Sequence, residues 1–439
     1  MFKQRWGWII GMLVVFLAIT FAKAQSEKKG AADDLYRQIE LFSDALTLIQ
    51  SQYVDSTKPK DLIYGALKGM LNSLDPHSQF LDAETYNELK IETEGKFGGI
   101  GVEITIKDGL VTVVSPIEGT PAWKAGIKAG DRIVRIGKEL TRDMSLSEVV
   151  RKMRGKPGTE LNITVLREKE ERLMDFKIIR DIIKVKDIKV AKILEDHIGY
   201  IRLVEFRENT AKDMETALAN LKKEGMDSLI LDLRNNPGGL LDSAIKVAEK
   251  FLDYGKQIVS TKSRVPAQNV SYVAQCKNPI LDLPMVVLVN EGSASGSEIV
   301  AGALQDYHRA IILGSKTFGK GSVQTVIPLG DGSAIRLTTS KYFTPLGRAI
   351  HGEGIHPDIV VEEETLDFAA EELKEKTVRQ KVEEVFEEIE EKEKSPLEEY
   401  KYDNQLLRAV DSLKAIKIYK GTKDKNAQVQ ASQGTPVKK

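Results

Sequence analysis

MVVLVNEGSASGSEIVAGALQDY, residues 285–307, has the pattern of a buried strand followed directly by a helix. A short apolar run ends at Asn290, and apolar residues then return at helical spacing. Repeated units of this kind build parallel sheets with helices on both faces. Three hydroxyl groups, those of Ser293, Ser295 and Ser297, lie where the strand gives way to the helix. The stretch therefore predicts an α/β fold with a candidate nucleophile at the carboxyl end of a strand, where such sheets bind ligands.

Strands and helices of this kind alternate through residues 181–362. Apolar strands are predicted in IGYIRLVEF, SLILDL and AIILG, with helices such as LLDSAIKVAEKFLD between them. This alternation predicts a mostly parallel sheet covered on both faces. Two polar, glycine-containing loops, RNNPGGL and NEGSASGS, follow its strands and are expected to form the ligand site. The segments SVQTVIPL and SAIRLTTSKYFTP are predicted to extend the same sheet.

Length and composition limit the classes of function. At 439 residues the chain is long enough for several domains. Its 64 Lys and Arg residues against 65 Asp and Glu residues give a formal charge of -1, which gives no reason to expect a nucleic-acid partner. The sequence contains no familiar metal-binding spacing and no Walker-type loop, so neither a metal nor another cofactor is predicted. Cys276 is the only cysteine, and the fold must be stable without an internal disulfide.

The first residues predict export from the cytoplasm. A short basic start precedes an apolar run over residues 8–21, and the following Ala-Lys-Ala fits the small-x-small rule for signal cleavage. A run of roughly 14 residues is short for a membrane-spanning helix, which needs about 20. Residues 1–24 are interpreted as a cleaved signal peptide, with an uncleaved membrane anchor as the alternative.

Helical regions are predicted at both ends of the mature chain. In residues 33–91 apolar residues recur at helical spacing, with a break at Asp75-Pro76. The charge-rich region 363–420 predicts an amphipathic helix, which is more typical of a packing or oligomer surface than of a catalytic site. Helices at both ends favour a homodimer. The tail, residues 421–439, has no periodicity and is predicted to be disordered.

A small β-rich module is predicted over residues 92–180. Alternation in GVEITI and LVTVVS indicates a hairpin, and MSLSEVVRKMRG indicates an amphipathic helix. The module resembles a PDZ domain, and the resemblance implies that the loop before GVEITI holds the terminal carboxylate of a peptide. That loop consists of Phe97, Gly98, Gly99, Ile100 and Gly101. Glycines let successive N–H groups converge on an anion, and the GVEITI strand offers an edge for β-augmentation.

Arg154, at the end of the predicted helix of this module, has two interpretations. It is either an ordinary cation at a helix C-terminus or a polar hinge that ties the module to the catalytic domain. The sequence alone does not choose between them.

A serine hydroxyl needs a neighbouring base before it can attack a carbonyl near neutral pH. His308 ends the helix that starts near Ser295. At a rise of 1.5 Å per residue His308 would lie roughly 20 Å from Ser295, which excludes it as the base. His351 and His356 flank a glycine-rich loop and stay open as alternatives. Lys320 is the better partner, because TFGKGSVQ sets it between glycines just before an apolar strand. A lysine acts as a base only if burial or a nearby cation lowers its pKa.

NEGSASGSE followed by KTFGKGSVQ resembles the C-terminal processing peptidases, also called tail-specific proteases. The resemblance spans about residues 35 to 365 and includes LDLRNNPGG and the PDZ-like module. It implies a crotonase/ClpP-like α/β serine protease core preceded by the PDZ-like barrel, with helical regions at both ends. It also implies that Ser295 is the nucleophile, Lys320 the base and Gln324 the residue that holds the lysine. Contact between Gln324 and Lys320 would require this stretch to coil before it extends, because residues four apart in a strand are about 13 Å apart.

The remaining polar groups around these loops have predicted roles. The N–H of Gly296, at the start of the helix, is expected to stabilise the oxyanion, and the second donor is expected from Gly238 or Gly239 in NNPGG. The family often has Ala at the position of Gly296, and a smaller side chain should leave this donor usable. Further predicted structural roles are an ion pair that supports the loop (Asp232 and Arg234), loop ordering (Ser293) and a helix N-cap (Ser297).

These features together predict an exported serine endopeptidase of the bacterial periplasm or cell envelope. It would bind the C-terminal tail of a protein or peptide substrate through the PDZ-like module and cleave through an acyl-enzyme. Two alternatives remain: a catalytically inert peptide-binding scaffold, and a Ser/His hydrolase that uses His351 or His356.

Overall fold

A computed structural model of the chain describes residues 34–107, 109–167, 172–364 and 403–433. The predicted signal segment, residues 1–24, and most of the predicted charged helix in the region 363–420 lie outside these residues. Within the described part, no helix combines the length and the apolar character needed to cross a membrane.

The N-terminal region contains three helices and one short strand. These elements are α1 (34–52), α2 (Pro59–Asn72), β1 (Gln79–Leu81) and α3 (Ala83–Glu94). Helix α3 begins after Asp82, whose carboxylate accepts a hydrogen bond from the Thr85 N–H at 2.9 Å, and it ends at Gly95 with a φ of 65°. Strand β1 was not predicted, because it pairs with a strand far along the chain, and local periodicity carries no signal for such a partner.

A small β module follows. Its elements are β2 (Lys96–Gly99), β3 (Val102–Lys107), β4 (Leu110–Pro116), α4 (Pro121–Lys124), β5 (Arg132–Ile136), β6 (Glu139–Leu140), α5 (Leu146–Met153), β7 (Glu160–Arg167), β8 (Arg172–Ile179) and β9 (Asp181–Lys184). The main sheet has the order β3-β4-β5-β7-β8 with antiparallel pairs, and β2 pairs with β9. Ile133, Val149 and Val165 are fully buried between this sheet and the helices. The predicted hairpin is β3–β4, and β3 lies at the edge of the sheet.

The remaining elements form the α/β core and a second sheet beside it. They are β10 (Ile188–Ile193), β11 (Ile198–Leu203), α6 (Thr210–Lys223), β12 (Ser228–Asp232), α7 (Leu241–Ala248), β13 (Gln257–Ser263), β14 (Val270–Val273), β15 (Met285–Val289), α8 (Gly296–Asp306), β16 (Ile311–Gly314), β17 (Ser322–Pro328), β18 (Ala334–Phe343), β19 (Ile359–Val360) and α9 (Asn404–Gln433). The core sheet has the order β10-β11-β12-β15-β16-β19, and every pair except β10–β11 is parallel.

Both faces of the core sheet are covered, as the apolar strands predicted. Residues of α6, α7 and α8 pack on one face in the largest apolar cluster of the described residues. The other face contacts α9, where Ala409 and Leu413 are fully buried against Ile230 and Val286. Burying a side chain such as Leu413 contributes roughly 1.5–3 kcal/mol, so α9 is an integral part of the core.

The segments after residue 320 differ from the expectation. Strands β17 and β18 do not extend the parallel sheet; they pair with each other and form a separate antiparallel sheet in the order β1-β18-β13-β14. The reason is the pairing of β18 with β13 and β1, both distant in sequence. This second sheet places the N-terminal strand β1 along one edge of β18 and β17, the strand that follows Lys320, along the other edge.

The end of the described chain also differs from the expectation. Residues 421–433, predicted to be disordered, are helical because α9 continues to Gln433. The run KDKNAQVQAS contains helix-compatible residues and neither Gly nor Pro, so a helix already anchored at Leu406 can propagate through it. Residues 434–439 lie outside the described part.

Candidate functional site

Ser295 lies at a sharp turn between β15 and α8. Its backbone has φ 52° and ψ -108°, a conformation that residues other than glycine rarely adopt. Hydrogen bonds on both sides impose it: the Ser295 N–H donates to the Glu298 carboxylate at 2.8 Å, and the Ala294 N–H donates to the Asn236 carbonyl at 3.0 Å. The turn leaves the Ser295 side chain half-buried, and the residue lines a cleft. A strained serine between strand and helix is typical of hydrolase nucleophiles.

The other two serines of this loop are structural. The buried Ser293 hydroxyl donates to the Leu233 carbonyl at 2.8 Å, which agrees with the predicted ordering of the loop. The prediction that Ser297 caps the helix is wrong, because α8 begins at Gly296 and the turn at Ser295 already provides the cap position. The Ser297 hydroxyl instead donates to the Asn236 carbonyl at 2.9 Å. Both serines therefore attach this loop to the loop that follows β12.

Lys320 reaches the same cleft from the loop between β16 and β17. Gly319 has a φ of 88°, and the Phe318 N–H donates to the Ser293 carbonyl at 3.0 Å, so the loop is fastened to the turn that holds Ser295. Lys320 is half-buried. Burial, and then the positive charge of Arg336, lower the pKa of the Lys320 amine, while the Glu298 carboxylate opposes the shift. These are the conditions under which a lysine can accept a proton.

Gln324 lines this cleft together with Ser295 and Lys320. Its side-chain amide donates to the Ser322 hydroxyl at 2.8 Å. Strand β17 starts at Ser322, so Gln324 already lies in the strand, and the pairing of β17 with β18 shifts register between Val323 and Gln324. In this arrangement of the described residues, no hydrogen bond joins the Lys320 amine to Gln324 or to the Ser295 hydroxyl.

Glu298 is the residue that connects the two halves of the site. Its side chain is fully buried and accepts four hydrogen bonds, from the Ser295 N–H, the Thr317 hydroxyl, the Gly319 N–H and the Lys320 N–H, at 2.5–2.9 Å. Burial raises the pKa of Glu298, and these donors oppose the shift. This role of Glu298 was not predicted from the sequence. The available signal was the Ser-x-x-Glu pattern of a capping box, which predicts the bond to Ser295 but not the bonds to the lysine loop.

The candidate donors for an oxyanion lie beside Ser295. A Cβ atom on Gly238 would lie 2.7 Å from the Gly296 nitrogen, so the two loops are in close contact and only glycine fits there. The Gly238 N–H donates to the Asn236 side chain at 2.9 Å. The N–H groups of Gly239 and Gly296 have no such acceptor among the described residues. Of the predicted pair Gly238 and Gly239, only Gly239 therefore has an N–H without an acceptor among the described residues.

The predicted ion pair between Asp232 and Arg234 is present. Arg234 donates to Asp232 at 2.7 and 3.0 Å, and both side chains are buried. Arg234 also donates to Asp403 and Gln405, at the start of α9, at distances of 2.7–3.1 Å. The loop that leads to Gly239 is therefore tied to the C-terminal helix. No local sequence pattern predicts the contacts of Asp403 or Gln405 with Arg234, because these residues are about 170 positions away along the chain.

The cleft has a volume of about 820 Å³. Its walls come from α3, the loop after β11, the loop after β12, and strands β14, β17 and β18. His351 and His356 are exposed and are absent from the described residues that line it. Among the described residues that line the cleft, Lys320 is therefore a candidate base for Ser295, and none of them is a histidine.

The candidate carboxylate-binding loop of the small β module is formed by β2 and the turn after it. Gly101 has a φ of 76°, and Ile100 is buried in the module. The side chain of Phe97 lies under the Arg154 guanidinium, 4.8 Å from the ring centroid. Strand β3, at the sheet edge, starts directly after this loop. Loop and free edge are thus adjacent, as peptide binding by β-augmentation requires.

Arg154 contacts the loop of its own module. It is the C-cap residue of α5, with extended backbone angles. Its position agrees with a cation at a helix C-terminus, and its guanidinium also contacts Phe97 of the candidate peptide-binding loop.

Comparison with known proteins agrees with this layout. A model of peptidase family S41 matches residues 197–361, a PDZ-domain model matches residues 112–167, and a model of the N-terminal domain of the activating protease CtpB matches residues 10–85. The chain is 46% identical over 354 residues to a carboxy-terminal-processing protease of Bartonella bacilliformis, which covers 80% of this chain and 81% of the relative.

Two further likenesses have the same extent. A probable CtpA-like serine protease of Staphylococcus aureus is 36% identical over 366 residues, with 82% of this chain and 73% of the relative covered. A solved structure of the photosystem II D1 C-terminal processing protease is 31% identical, covers 73% of this chain and 92% of its own, and superposes with a TM-score of 0.44.

Proposed function

Because the chain belongs to peptidase family S41 as a carboxy-terminal processing serine protease with a PDZ domain, we propose that it cleaves protein substrates with Ser295 as nucleophile, Lys320 as general base and Gln324 as the partner of the lysine. The observation that carries this proposal is the shared cleft, lined by a strained strand-to-helix serine and by a half-buried lysine of lowered pKa. A serine and a neutral amine are sufficient for acyl transfer.

The proposed reaction has two stages. As the Ser295 hydroxyl attacks the scissile carbonyl, its proton passes to the Lys320 amine, and the N–H groups of Gly296 and Gly239 stabilise the oxyanion. Collapse of the intermediate transfers that proton to the leaving amine and leaves an acyl-enzyme. Water then gives a proton to Lys320 and attacks the ester carbonyl, and as the second intermediate collapses Lys320 returns this proton to the departing Ser295 oxygen, which releases the acid product and regenerates both the hydroxyl and the neutral amine. With substrate bound, the Gln324 side chain would give up its hydrogen bond to the Ser322 hydroxyl and form one with the Lys320 amine.

The PDZ domain is proposed to select substrates by their free C-terminus. The support is the loop from Phe97 to Gly101 beside the free edge of β3. A carboxylate bound by backbone N–H groups makes charge-assisted hydrogen bonds, worth about 1.5–3 kcal/mol. Amidation of the terminal carboxylate should therefore lower kcat/KM on a fluorogenic peptide about tenfold or more.

A matched pair of variants tests the role of the loop. Gly101 and Gly109 have similar angles, φ 76° and 74°, so alanine is strained at both positions. Only at Gly101 would a Cβ overlap a neighbour, the Thr120 side chain; at Gly109 the space is open. Gly101→Ala should erase the preference for the free carboxylate, and Gly109→Ala should keep it. Equal cleavage of the two peptides by the native protein would contradict tail recognition, and binding without cleavage would support the inert scaffold.

Export and membrane attachment are proposed from the N-terminal residues. The basic start, apolar run and Ala-Lys-Ala site of residues 1–24 support a signal peptide and hence an extracytoplasmic location. N-terminal sequencing of the protein from an envelope fraction would find Gln25 first if the signal is cleaved, and Met1 or Phe2 if the segment stays as an anchor.

A homodimer is proposed through helix α1. Its apolar side chains are exposed in the described chain, with Leu35 at 61%, Ile39 at 53% and Phe42 at 45% of full exposure. Such a stripe is typical of a helix that packs on another one. Sedimentation analysis should give twice the chain mass for the native protein, and Phe42→Glu should shift it to a monomer. A native protein that sediments as a monomer would exclude the dimer.

A further inference from the structure

Arg336 is a cation of the cleft to which the proposed mechanism assigns no role. It lies on β18, between β1 on one side and β17 on the other. Its side chain is half-buried and lines the cleft together with Ser295, Lys320 and Gln324. It therefore faces the same cleft as the proposed reacting groups.

Neutral acceptors from the N-terminal segment hold Arg336. One terminal nitrogen donates to the Gln79 side-chain oxygen at 2.7 Å, and Nε donates to the His77 carbonyl at 3.3 Å. Arg234 and Arg167, by contrast, each pair with a buried carboxylate. No ion pair of the described residues involves Arg336, so an opposite charge does not cancel its field.

An acidic residue of the same turn, Asp75, is engaged by other donors. Asp75 accepts hydrogen bonds from the His77 N–H, the Ser78 N–H and hydroxyl, and the Thr338 hydroxyl. The Ser78 hydroxyl in turn accepts a bond from the Thr338 N–H at 3.1 Å. This network clamps the turn before β1 onto β18, two residues from Arg336, and thereby fixes the two acceptors of the guanidinium.

Two charged side chains among the described residues act on the Lys320 amine. Arg336, from β18, lowers its pKa and Glu298, from α8, raises it. The oxygens of Glu298 are already engaged by four donors, three of which belong to the lysine loop. Other charged groups also line the cleft, namely Lys90, Glu92 and Glu94 on α3, Glu205 and Arg207 after β11, and Asp242 on α7.

We propose that Arg336 is a positioning residue of the reaction: its fixed guanidinium adds to the effect of burial in favouring the neutral form of Lys320, and strand β1 holds the guanidinium in place through Gln79. The proposal rests on the proposed role of Lys320 as the base. A like charge near an amine disfavours protonation, and the effect requires a fixed distance. The N-terminal segment thus contributes to the chemistry of a site that lies in the protease core.

The test is the pH dependence of kcat/KM on a fluorogenic tail peptide, which reports the ionisation of the free enzyme. Arg336→Gln should move the rising limb of the profile to higher pH by about one pH unit, so that kcat/KM falls about tenfold at pH 7 and recovers at the alkaline plateau. Arg336→Lys should restore most of the native profile. Lys341→Gln, which removes an exposed cation from the same strand, should leave the profile unchanged.

Two measurements separate failure of this inference from failure of the proposed function. The pH dependence of Lys320 acetylation by acetic anhydride, followed by mass spectrometry, reports the neutral amine without any need for catalysis. Arg336→Gln should shift that titration upward as well. An unmoved titration, or an equal loss of kcat/KM at every pH, would overturn the role of Arg336 while leaving Lys320 as the base. Retained cleavage by Lys320→Met would instead overturn the proposed function.

Discussion

Ser295→Ala is expected to lower kcat by on the order of 10⁵- to 10⁶-fold, because the variant has no group that can form the acyl-enzyme. The fold should persist. The strained turn is imposed by backbone hydrogen bonds to Glu298 and Asn236, which the substitution leaves intact. Calorimetry should find unchanged affinity for a tail peptide, since the binding loop of the PDZ domain is a separate element. Stopped assays with a fluorogenic peptide at high enzyme concentration would measure the residual rate.

Two further variants make this result specific. Lys320→Met should cause a loss of similar size, and the double variant should be no slower than either single one, because the two groups act as one unit. Ser297→Ala is the matched control: it deletes a neighbouring hydroxyl whose hydrogen bond to Asn236 contributes about 1 kcal/mol to stability. Cleavage by Ser295→Ala near the native rate, or additive losses in the double variant, would contradict the Ser/Lys assignment.

The sequence predicted those parts of the site that local patterns encode. The apolar run to Asn290 followed by helical spacing located Ser295 at the end of a strand, and the glycines around Lys320 indicated a loop at the edge of the core. The pair Asp232 and Arg234 was also recoverable, because two residues on one short segment can be judged from spacing alone.

The parts that were missed depend on contacts between distant segments. Strand β1 pairs with β18, Asp403 just before α9 accepts a hydrogen bond from Arg234, and Arg336 donates to Gln79. Periodicity within a window of about 18 residues does not indicate which distant segments contact each other. The predicted extension of the parallel sheet failed for the same reason, since β17 and β18 have the composition of strands and only their distant partners decide which sheet they join.

The hydrogen bonds of Glu298 to the loop of Lys320 could not be predicted from a local pattern. The Ser-x-x-Glu spacing predicts one hydrogen bond at the helix start, yet the carboxylate also holds the Gly319 and Lys320 N–H groups. A buried carboxylate with four donors fixes the turn of the nucleophile and the loop of the base in one geometry. Glutamine has the same shape but only one acceptor oxygen, and its amide N–H groups would face backbone donors. At least two buried donors would lose their acceptor.

Glu298→Gln is therefore expected to lower kcat/KM by on the order of 10² to 10³, through displacement of Lys320 relative to Ser295. Each buried donor left without a partner costs about 1–3 kcal/mol, so the free energy of unfolding should fall by roughly 3 kcal/mol. Urea denaturation and peptide kinetics measure the two effects. Glu291→Gln makes the same chemical change at an exposed position in the loop before α8, and its unfolding free energy should stay within about 0.5 kcal/mol of the native value. If Glu298→Gln lost stability but kept its native kcat/KM at a temperature where it is folded, the carboxylate would stabilise the fold without positioning the base.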